Sequence, residues 1–364
     1  MKLLMLQAGF GTGGAEKIMA MVAAHRQARG DEVQVAGMSM PDSGPFFPYP
    51  DGIRLHVLAA GAPPGPLRQL RRLAAIRRLI RAERPDVILS FLTKVNCLTL
   101  LAARGTGIPV VISERNNPVV QSPRFWNRAQ KLLARGAAGI VTQTGGQRDD
   151  LPHGLRDRTA VIYNMCSPVP FRRAPSGPGC HFIAVGRLDP QKGFDLLIEA
   201  FSRLADTDSR LTIFGEGPER RALEAQIAAK DMTDRIALPG IVKGPQAWLG
   251  AGDVLVVSSH YEGFSNVVAE ATCSGLPVVS FDCPYGPAEM IVEGRNGLLV
   301  PPGDVAGLAR AMARVAADRD LRFRLGQAPH LAARRLDPDR VMAQWDAVID
   351  GALQPPSAEM VLSS

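Results

Sequence analysis

Two glutamates, Glu262 and Glu270, lie eight positions apart in the stretch of sequence best suited to chemistry. An apolar segment before them, DVLVVSS at 253–259, predicts a buried parallel strand. A Gly-Phe-Ser-Asn turn follows Glu262 directly, and a helix that begins at Asn266 would offer free backbone N–H groups to a phosphate or a sugar hydroxyl. Because eight residues make about two helical turns, both carboxylates would face one crevice at the carboxyl end of the strand.

Two cations, Arg187 and Lys192, lie five positions apart after another predicted strand, at 180–186. They occupy a strand-to-helix turn that ends in Gly193. Positive charge and a helix start at such a turn would stabilise a diphosphate that becomes more negative as it leaves. The alternative interpretation is a surface loop with ordinary charges.

A glycine-rich turn at 9–16 follows the first predicted strand, at 2–8. It has neither the Lys-Ser/Thr of a nucleoside triphosphate loop nor the spacing of a dinucleotide fingerprint. Gly13 and Gly14 would let the backbone approach a ligand closely, or would simply form a turn. A loop at 41–51, rich in proline and aromatic residues, could close over an acceptor.

The most basic segment runs from residue 67 to residue 84, with seven arginines and one acid. Apolar residues recur there at helical spacing, which predicts an amphipathic helix. Such a helix either packs on a sheet with its arginines in water or lies on an anionic membrane surface. A second candidate for a membrane surface, at 125–133, adds Phe125 and Trp126.

The composition describes a globular protein of two domains, because 364 residues with 46% hydrophobic and 21% charged residues can bury two ordinary cores. Residues 1–165 carry 22 Lys and Arg against 11 Asp and Glu, whereas the remainder carries 20 against 24. Five scattered cysteines without a C-x-x-C motif favour a reducing compartment and argue against a structural zinc. With neither a signal peptide nor a membrane span in evidence, the sequence predicts a cytoplasmic protein.

Strand and helix patterns alternate along the chain, which predicts parallel α/β domains. The predicted boundaries give domains at 1–165 and 166–337, with a helix at about 338–354 that contains Trp345 and completes the first domain. A proline- and serine-rich linker is predicted at 164–178, and a flexible tail at 355–364.

Three of these motifs together resemble one enzyme family, the retaining GT-B glycosyltransferases of the family 4 type. They are the E-x7-E pair that begins at Glu262, the G-R-x-x-x-x-K-G element that begins at Gly186, and the Gly-Gly-Ala-Glu loop that begins at Gly13. The resemblance covers nearly the whole chain and is strongest at 186–303. It implies an α/β fold of the GT-B type, with two Rossmann-like domains facing a deep interdomain cleft.

The resemblance also implies roles for individual residues. Arg187 and Lys192 would stabilise the leaving diphosphate without a metal, Glu262 would orient the donor sugar, and Glu270 would hold the ribose. These residues, with Arg187, Lys192 and Glu262 as the catalytic ones, would act without any cofactor beyond the donor. The other substrate-binding residues that it implies are Gly13, Gly14, Gly215, Glu216, Ile241, Gly263, Phe264, Ser265, Asn266, Val267 and Val268.

One departure from the family narrows the expected substrate. Many members carry a histidine where this chain has Glu114, Arg115 and Asn116 after the strand predicted at 109–113. The Ser-Glu-Arg-Asn sequence is similar to that of the transferases that extend polyprenyl-diphosphate sugars in polysaccharide and lipid-linked oligosaccharide synthesis. This implies a lipid-linked glycan acceptor, reached at the inner face of the cytoplasmic membrane through the basic segment at 67–84.

Several alternatives stay open from the sequence. The donor would be a UDP-hexose or UDP-N-acetylhexosamine, or else GDP-mannose in an α-mannosyltransferase. A sugar-nucleotide epimerase of GT-B fold is a less favoured enzyme. A non-catalytic basic protein that binds membrane or nucleic acid is disfavoured, because no nucleic-acid motif is present and only 5% of residues are aromatic.

Overall fold

The computed structural model describes residues 1–58, 67–117, 120, 123–171 and 179–354. The chain divides into two compact units, Met1–Tyr163 with Asp339–Ser364 and Asn164–Pro338, where the sequence predicts boundaries at 165 and 337. Much of the predicted linker, at 172–178, and the whole predicted tail, at 355–364, lie outside the described residues.

The first unit is built on a parallel sheet of seven strands in the order β3-β2-β1-β4-β5-β6-β7. Most of these strands are mainly apolar and are buried on both faces, as parallel strands covered by helices must be. Their bounds are β1 (Lys2–Gln7), β2 (Glu32–Gly37), β3 (Arg54–Val57), β4 (Val87–Phe91), β5 (Val110–Glu114), β6 (Gly139–Thr142) and β7 (Thr159–Val161).

The second unit repeats the plan with a parallel sheet of six strands in the order β10-β9-β8-β11-β12-β13. Its core joins the sheet to the helices on both sides of it through residues such as Phe182, Phe201 and Phe281. The strand bounds are β8 (His181–Val185), β9 (Arg210–Phe214), β10 (Ile236–Gly240), β11 (Val254–Val257), β12 (Val278–Phe281) and β13 (Gly297–Val300).

Helices connect these strands in both units. In chain order they are α1 (Gly14–Ala28), α2 (Leu67–Glu83), α3 (Thr93–Ala103), α4 (Arg124–Leu133), α5 (Gly145–Asp149), α6 (His153–Arg156), α7 (Phe194–Ser202), α8 (Arg220–Ala229), α9 (Gln246–Leu249), α10 (Asn266–Ser274), α11 (Val305–Ala317), α12 (Arg319–Leu325), α13 (His330–Leu336) and α14 (Pro338–Gly351).

A buried arginine fastens α14 to the first unit. The guanidinium of Arg26, on α1, is 2% exposed and donates to Asp31 at 2.6 Å and to both Asp346 and Asp350 at 2.7 Å. Trp345, fully buried beside these acids, packs 5.5 Å from the ring of Phe91. The C-terminal helix therefore belongs to the core of the first unit although the second unit separates them in sequence.

The two sheets reverse their strand order at equivalent places, between β1 and β4 and between β8 and β11. In open parallel sheets the crevice at the carboxyl ends of such strands is where ligands bind. These two doubly wound sheets confirm the predicted α/β fold of two domains, and each places a crevice beside motifs that the sequence singled out. None of the described helices is long and apolar enough to cross a membrane.

Candidate active site

The centre of the candidate site is the carboxylate of Glu262, just beyond the carboxyl end of β11. Glu262 is 4% exposed, and its Oε1 accepts a hydrogen bond from the Lys192 ammonium at 2.8 Å. The same oxygen accepts a second bond from the Ser259 hydroxyl at 2.7 Å. Bonds to a charged donor are the stronger kind, so the pair fixes both side chains at the edge of the sheet. Sequence reasoning found Glu262 and Lys192 but missed Ser259, whose position three residues before Glu262 at a strand end was the available signal.

Local backbone geometry presents Lys192 to this carboxylate. Lys192 ends a short 3-10 turn, Pro190–Lys192, and its carbonyl accepts a bond from the Ser258 hydroxyl at 2.9 Å. Gly193 then adopts a φ of +58°, and a Cβ there would lie 2.4 Å from the Ser258 carbonyl oxygen. Gly186 makes room for the lysine stem, because a Cβ on it would lie 3.1 to 3.2 Å from three Lys192 carbons. Both glycines of the motif therefore serve the placement of one ammonium group.

Arg187 lies beside this cluster with different partners. Its side chain is 72% exposed and donates to Asp189 at 2.5 Å. The structure therefore brings Lys192, Glu262 and Ser259 together, and it holds Arg187 through Asp189 at the rim. Because this guanidinium is exposed, it can turn from Asp189 toward a bound anion with little change in its own hydration.

The start of α10 borders the Glu262 carboxylate. Ser265 precedes the helix and is 1% exposed, and its hydroxyl has no hydrogen-bond partner among the described residues. No side chain caps the helix, while Asn266 is exposed and accepts a bond from Asn164 at 2.9 Å. Gly263 and Val267 are half-buried, and Phe264 and Val268 pack inward. This helix start is therefore suited to bind an anion, because backbone N–H groups and positive dipole converge there.

Glu270 lies on the same helix, one turn beyond its start, and is half-buried. Gly286 packs against the other side of the Glu262 stem, since a Cβ on Gly286 would lie 3.0 Å from the Glu262 Cβ. The turn after β12 thereby helps to fix the orientation of Glu262.

The predicted contacts after β9 and β10 lie at a neighbouring part of the same edge. Gly215 adopts a φ of +153°, and a Cβ there would lie 1.8 Å from the Gly186 carbonyl oxygen. Glu216 makes a two-point ion pair with Arg220, at 2.5 and 2.7 Å. Ile241 is 73% exposed. The structure thus joins Gly215 to the start of the Arg187 turn, while Glu216 and Ile241 lie on the surface beside it.

Three Asp-x-Asp pairs occur in the chain, and carboxylate pairs of this kind can bind divalent metal ions. Asp206 and Asp208 precede β9, at the amino edge of the sheet and opposite Glu262. Asp206 is bonded there to Ser209 and to the Asp208 N–H. Asp318 and Asp320 lie at the start of α12, where Asp318 accepts a hydrogen bond from the Leu321 N–H. Asp337 and Asp339 flank Pro338 at the start of α14. Among the described residues no group of three metal-binding side chains was found.

In the first unit, the glycine-rich turn carries a carboxylate of its own. The Glu16 carboxyl lies over Gly13, where a Cβ would meet its Oε2 at 2.2 Å, and burial raises the pKa of Glu16 above its ordinary value. Gly14 begins α1 and is exposed. A ligand anion that approaches the start of α1 must therefore displace or bond to the Glu16 carboxyl.

The loop at 41–51 folds onto this turn. The rings of Phe10 and Tyr49 meet edge to face at 5.9 Å, the Phe46 N–H donates to the Phe10 carbonyl at 3.0 Å, and Gln7 donates to the Tyr49 hydroxyl at 3.1 Å. The predicted closure over an acceptor stays a prediction, but the loop does cover the end of β1.

The phenol of Tyr49 gives a test of this packing by pH. Burial raises the pKa of Tyr49 to about 12, with Glu16 acting in the same direction and the Gln7 bond against it. Above the ordinary value of 10 the unfolded chain loses this proton and the folded chain keeps it, so folding stability should fall from about pH 10 to about pH 12. In the variant Tyr49→Phe, we expect the urea unfolding midpoint to fall less between about pH 10 and about pH 12. Ultraviolet absorbance should show three tyrosine transitions in place of four, with the one at highest pH lost. If the variant instead loses a tyrosine transition near pH 10, the Tyr49 phenol is solvated and the packing is not as described.

The Ser-Glu-Arg-Asn sequence forms a largely buried polar cluster at the end of β5. Glu114 is 5% exposed and accepts from Thr93 at 2.6 Å, from Gln130 at 3.1 Å and from two backbone N–H groups at 115 and 116. Burial raises the pKa of Glu114 above its ordinary value. The carboxylate therefore stabilises the turn after β5 by accepting hydrogen bonds from its backbone.

Arg115 and Asn116 point in different directions from that turn. Arg115 is 5% exposed, lies 5.3 and 5.5 Å from the rings of Phe91 and Trp345, and donates to the Ile162 carbonyl at 3.2 Å. Its burial lowers the pKa of the guanidinium to about 9. Asn116 lines an open cavity at the same sheet edge. All three stay predicted substrate contacts, and Asn116 is the one with a side chain placed to reach a ligand directly.

Comparison with known proteins identifies the family. Residues 13–165 match the model of a glycosyl transferase 4-like domain, and residues 179–318 match that of glycosyl transferases group 1. LpsD of Rhizobium meliloti, a lipopolysaccharide core biosynthesis glycosyltransferase, is 34% identical over 258 residues, which cover 69% of this chain and 70% of LpsD. The chain belongs to the group 1 glycosyltransferase family.

Two further comparisons bear on this glycosyltransferase. An exopolysaccharide phosphotransferase of Streptomyces coelicolor is 28% identical over 372 residues, which cover 92% of this chain but 39% of that protein. The chain therefore spans well under half the length of this curated relative. The structure of HepE from Anabaena in complex with UDP has a TM-score of 0.81 at 22% identity and covers 96% of this chain and all of HepE. This likeness confirms the GT-B fold.

Proposed function

We propose that this group 1 glycosyltransferase is a retaining enzyme that moves a hexose or N-acetylhexosamine from a UDP-sugar to a lipid-linked, polyprenyl-diphosphate glycan. One observation carries the proposal: Lys192 and Glu262 form a 2.8 Å pair at a parallel sheet edge, beside a helix start with no side-chain cap. The ammonium and the helix start can bind the diphosphate and stabilise charge on the oxygen that joins it to the sugar. The carboxylate can accept hydrogen bonds from the sugar hydroxyls.

The proposed chemistry needs no protein nucleophile. The bond between the sugar C1 and the diphosphate oxygen breaks while the acceptor oxygen bonds to C1 on the same face. The acceptor hydroxyl proton passes to the departing diphosphate oxygen. Lys192 and Arg187 stabilise the charge that grows on that oxygen, Glu262 orients the sugar, and Glu270 binds the ribose. Positioning and preorganised charge then supply most of the rate enhancement.

The donor is assigned to UDP-sugars because the turn after β12, at 281–287, resembles that of UDP-sugar enzymes and because HepE was solved with UDP. A panel of UDP- and GDP-sugars assayed with membrane extract tests this. We expect transfer from one or more UDP-hexoses or UDP-N-acetylhexosamines. Transfer from GDP-mannose alone would replace the proposal by the α-mannosyltransferase reading.

Stereochemistry and metal dependence are tested with the same reaction. We expect the product to keep the anomeric configuration of the donor by NMR, and we expect full activity in EDTA. An inverted product would exclude the same-face mechanism. Loss of activity in EDTA that Mg²⁺ or Mn²⁺ restores would show a metal requirement.

The acceptor is assigned to a glycan built on a membrane lipid because LpsD acts, by name, in lipopolysaccharide core synthesis and because α2 exposes both charge and apolar surface. In the C-terminal half of α2, Ile76 and Ile80 are buried. In its N-terminal half, Leu67 and Leu70 are each 61% exposed and lie among arginines. On α4, Phe125 is 71% exposed beside further cations. Basic and apolar groups together favour the anionic inner face of the cytoplasmic membrane.

Vesicle binding tests the membrane contact. We expect the protein to sediment with phosphatidylglycerol vesicles and not with phosphatidylcholine vesicles, and Leu70→Glu to weaken that binding by about tenfold through lost apolar burial and added repulsion. Phe323→Glu is the matched control, because Phe323 is 63% exposed on the second unit. Equal binding to both lipids, or an equal effect of the two variants, would contradict the assignment.

A further inference from the structure

A cavity of about 320 Å³ opens at the carboxyl edge of the first sheet, where the strand order reverses. Residues that follow four of the strands line it, among them Ala8 after β1, Met38 after β2 and Asn116 after β5. Its volume is in the range of small-molecule sites. All of its lining residues belong to the first unit, whereas Lys192 and Glu262 belong to the second.

Two cations line the cavity, Arg72 from α2 and Lys94 from α3. Neither forms a salt bridge with any described residue, and the charged neighbours that act on each are arginines. The Arg72 Nε is buried without a hydrogen-bond partner among the described residues. Burial lowers the pKa of Lys94, with repulsion from Arg72 and Arg68 adding to the shift. Since like charges that converge without counter-ions are costly, the arrangement calls for an anionic ligand.

Several other cations of the described chain have acidic partners, which Arg72 and Lys94 lack. Lys192 is matched by Glu262, Arg187 by Asp189, and Arg26 by three aspartates. Arg72 lies on the stripe of α2 that continues into the buried residues Ile76 and Ile80, four positions apart along one helix face. Arg72 therefore lies on the helix face that packs toward the interior of the unit, and not on the face that is exposed to solvent.

Apart from Thr93 and Asn116, the remainder of the cavity wall is apolar. Leu98 and Val95 come from α3, Leu92 precedes it, and Trp126 comes from α4. The Lys94 ammonium lies 5.7 Å from the centre of the Trp126 ring, so the aromatic face borders the charged end of the cavity. A ligand that satisfies both parts carries an anionic group next to an apolar part, as a lipid phosphate does.

We propose that this cavity binds the diphosphate and the adjoining hydrocarbon units of the acceptor lipid, with Arg72 and Lys94 on the phosphates and Trp126 and Leu98 against the chain. The inference rests on the proposed function for the identity of the acceptor, and it assigns the place where the lipid end is recognised. Asn116, at the same cavity wall, is then the predicted contact nearest to this lipid site.

Binding of farnesyl diphosphate, a short amphiphile of this class, tests the proposal without requiring turnover. Trp126 lines the cavity, so binding should change its fluorescence, whereas Trp248 and Trp345 are 3% and 0% exposed and should add a constant background. We expect Arg72→Gln and Lys94→Gln each to weaken binding about tenfold or more, as loss of a charged hydrogen bond does. Lys94→Arg should retain binding, and Arg71→Gln, one position away and exposed, is the matched control.

Competing ligands distinguish the sources of the anion. Farnesol and inorganic diphosphate should each bind at least about tenfold more weakly than farnesyl diphosphate, since each lacks one half of the match. Equal affinity for inorganic diphosphate or for UDP would overturn the lipid assignment in favour of a simple phosphate site. Equal affinity in Arg72→Gln, Lys94→Gln and Arg71→Gln, with all three folded by circular dichroism, would overturn the site itself.

Activity separates this inference from the proposed function. If Arg72→Gln raises the acceptor KM while UDP binding is unchanged, both stand. If the wild type binds farnesyl diphosphate through Arg72 but transfers no sugar from any donor, the proposed function fails and the lipid site remains. If sugar transfer proceeds with an unchanged acceptor KM in Arg72→Gln, the lipid site fails alone.

Discussion

Lys192→Ala is expected to lower the rate of sugar transfer by about a hundred- to thousand-fold. The variant removes a preorganised positive charge from the place where negative charge develops on the leaving diphosphate, and the loss of one such donor typically has an effect of this size. Ser259 still donates to Glu262 at 2.7 Å, so the carboxylate keeps a hydrogen bond and the unit should stay folded. Initial rates with the preferred UDP-sugar give the measurement.

Lys230→Ala is the control for that experiment. Lys230 is a lysine of the same unit that forms an ion pair with Glu199 on the surface, away from the edge that carries Glu262. We expect its rate to stay within about twofold of the wild type, as surface ion pairs contribute little. Turnover in Lys192→Ala equal to that in Lys230→Ala would remove Lys192 from the mechanism.

Gly193→Ala is expected to disturb both folding and activity. Gly193 has a φ of +58°, and the added Cβ would lie 2.4 Å from the Ser258 carbonyl oxygen, which is backbone and cannot move alone. The conformational strain costs about 1 to 2 kcal/mol and the clash adds to it. Because Ser258 also bonds the Lys192 carbonyl, any shift that relieves the clash displaces Lys192 as well. Urea unfolding midpoints and kcat together measure the two effects.

Gly294→Ala is the control that separates the backbone strain of a positive φ from the steric clash expected at Gly193. Gly294 has a φ of +71° in the same unit, but nothing lies within 4 Å of its Cβ position. It should show the strain cost alone, with kcat unchanged. If the two variants shift the urea midpoint equally and keep full activity, the packing of Gly193 on Ser258 does not position Lys192.

Much of the fold could be predicted from the sequence because parallel strands are locally visible. Apolar runs such as those that became β1, β4 and β11 are buried on both faces, and their bounds agree with the predicted strands within about two residues. The short helices α12 and α13 were not anticipated, because segments of seven residues carry too little periodicity to distinguish from loops.

The candidate donor site could be predicted from the sequence because its parts are strand ends followed by helix starts. Lys192, Glu262 and Ser265 all fall within a few residues of such a junction. Their partners could not be derived, since the bond of Lys192 to Glu262 joins residues 70 positions apart. Whether an exposed arginine such as Arg187 points to Asp189 or to a ligand is also decided by three-dimensional neighbours.

The polar residues of the first unit show the limits of sequence reasoning most clearly. Glu114 ends a strand and Arg115 follows it, as ligand-binding residues do, yet the structure surrounds both with internal partners. Arg72 belongs to a helix whose arginines look alike in sequence, and only the packing of α2 on α3 turns one of them toward a cavity. Burial, which a local pattern reports poorly for charged residues, separates these cases.

A crystal structure with bound UDP tests the central claim most directly. The account predicts that the β-phosphate lies within hydrogen-bond distance of the Lys192 ammonium and of the first N–H groups of α10, with both ribose hydroxyls on the Glu270 carboxylate. UDP bound with its phosphates away from Lys192, or with its ribose away from Glu270, would contradict it.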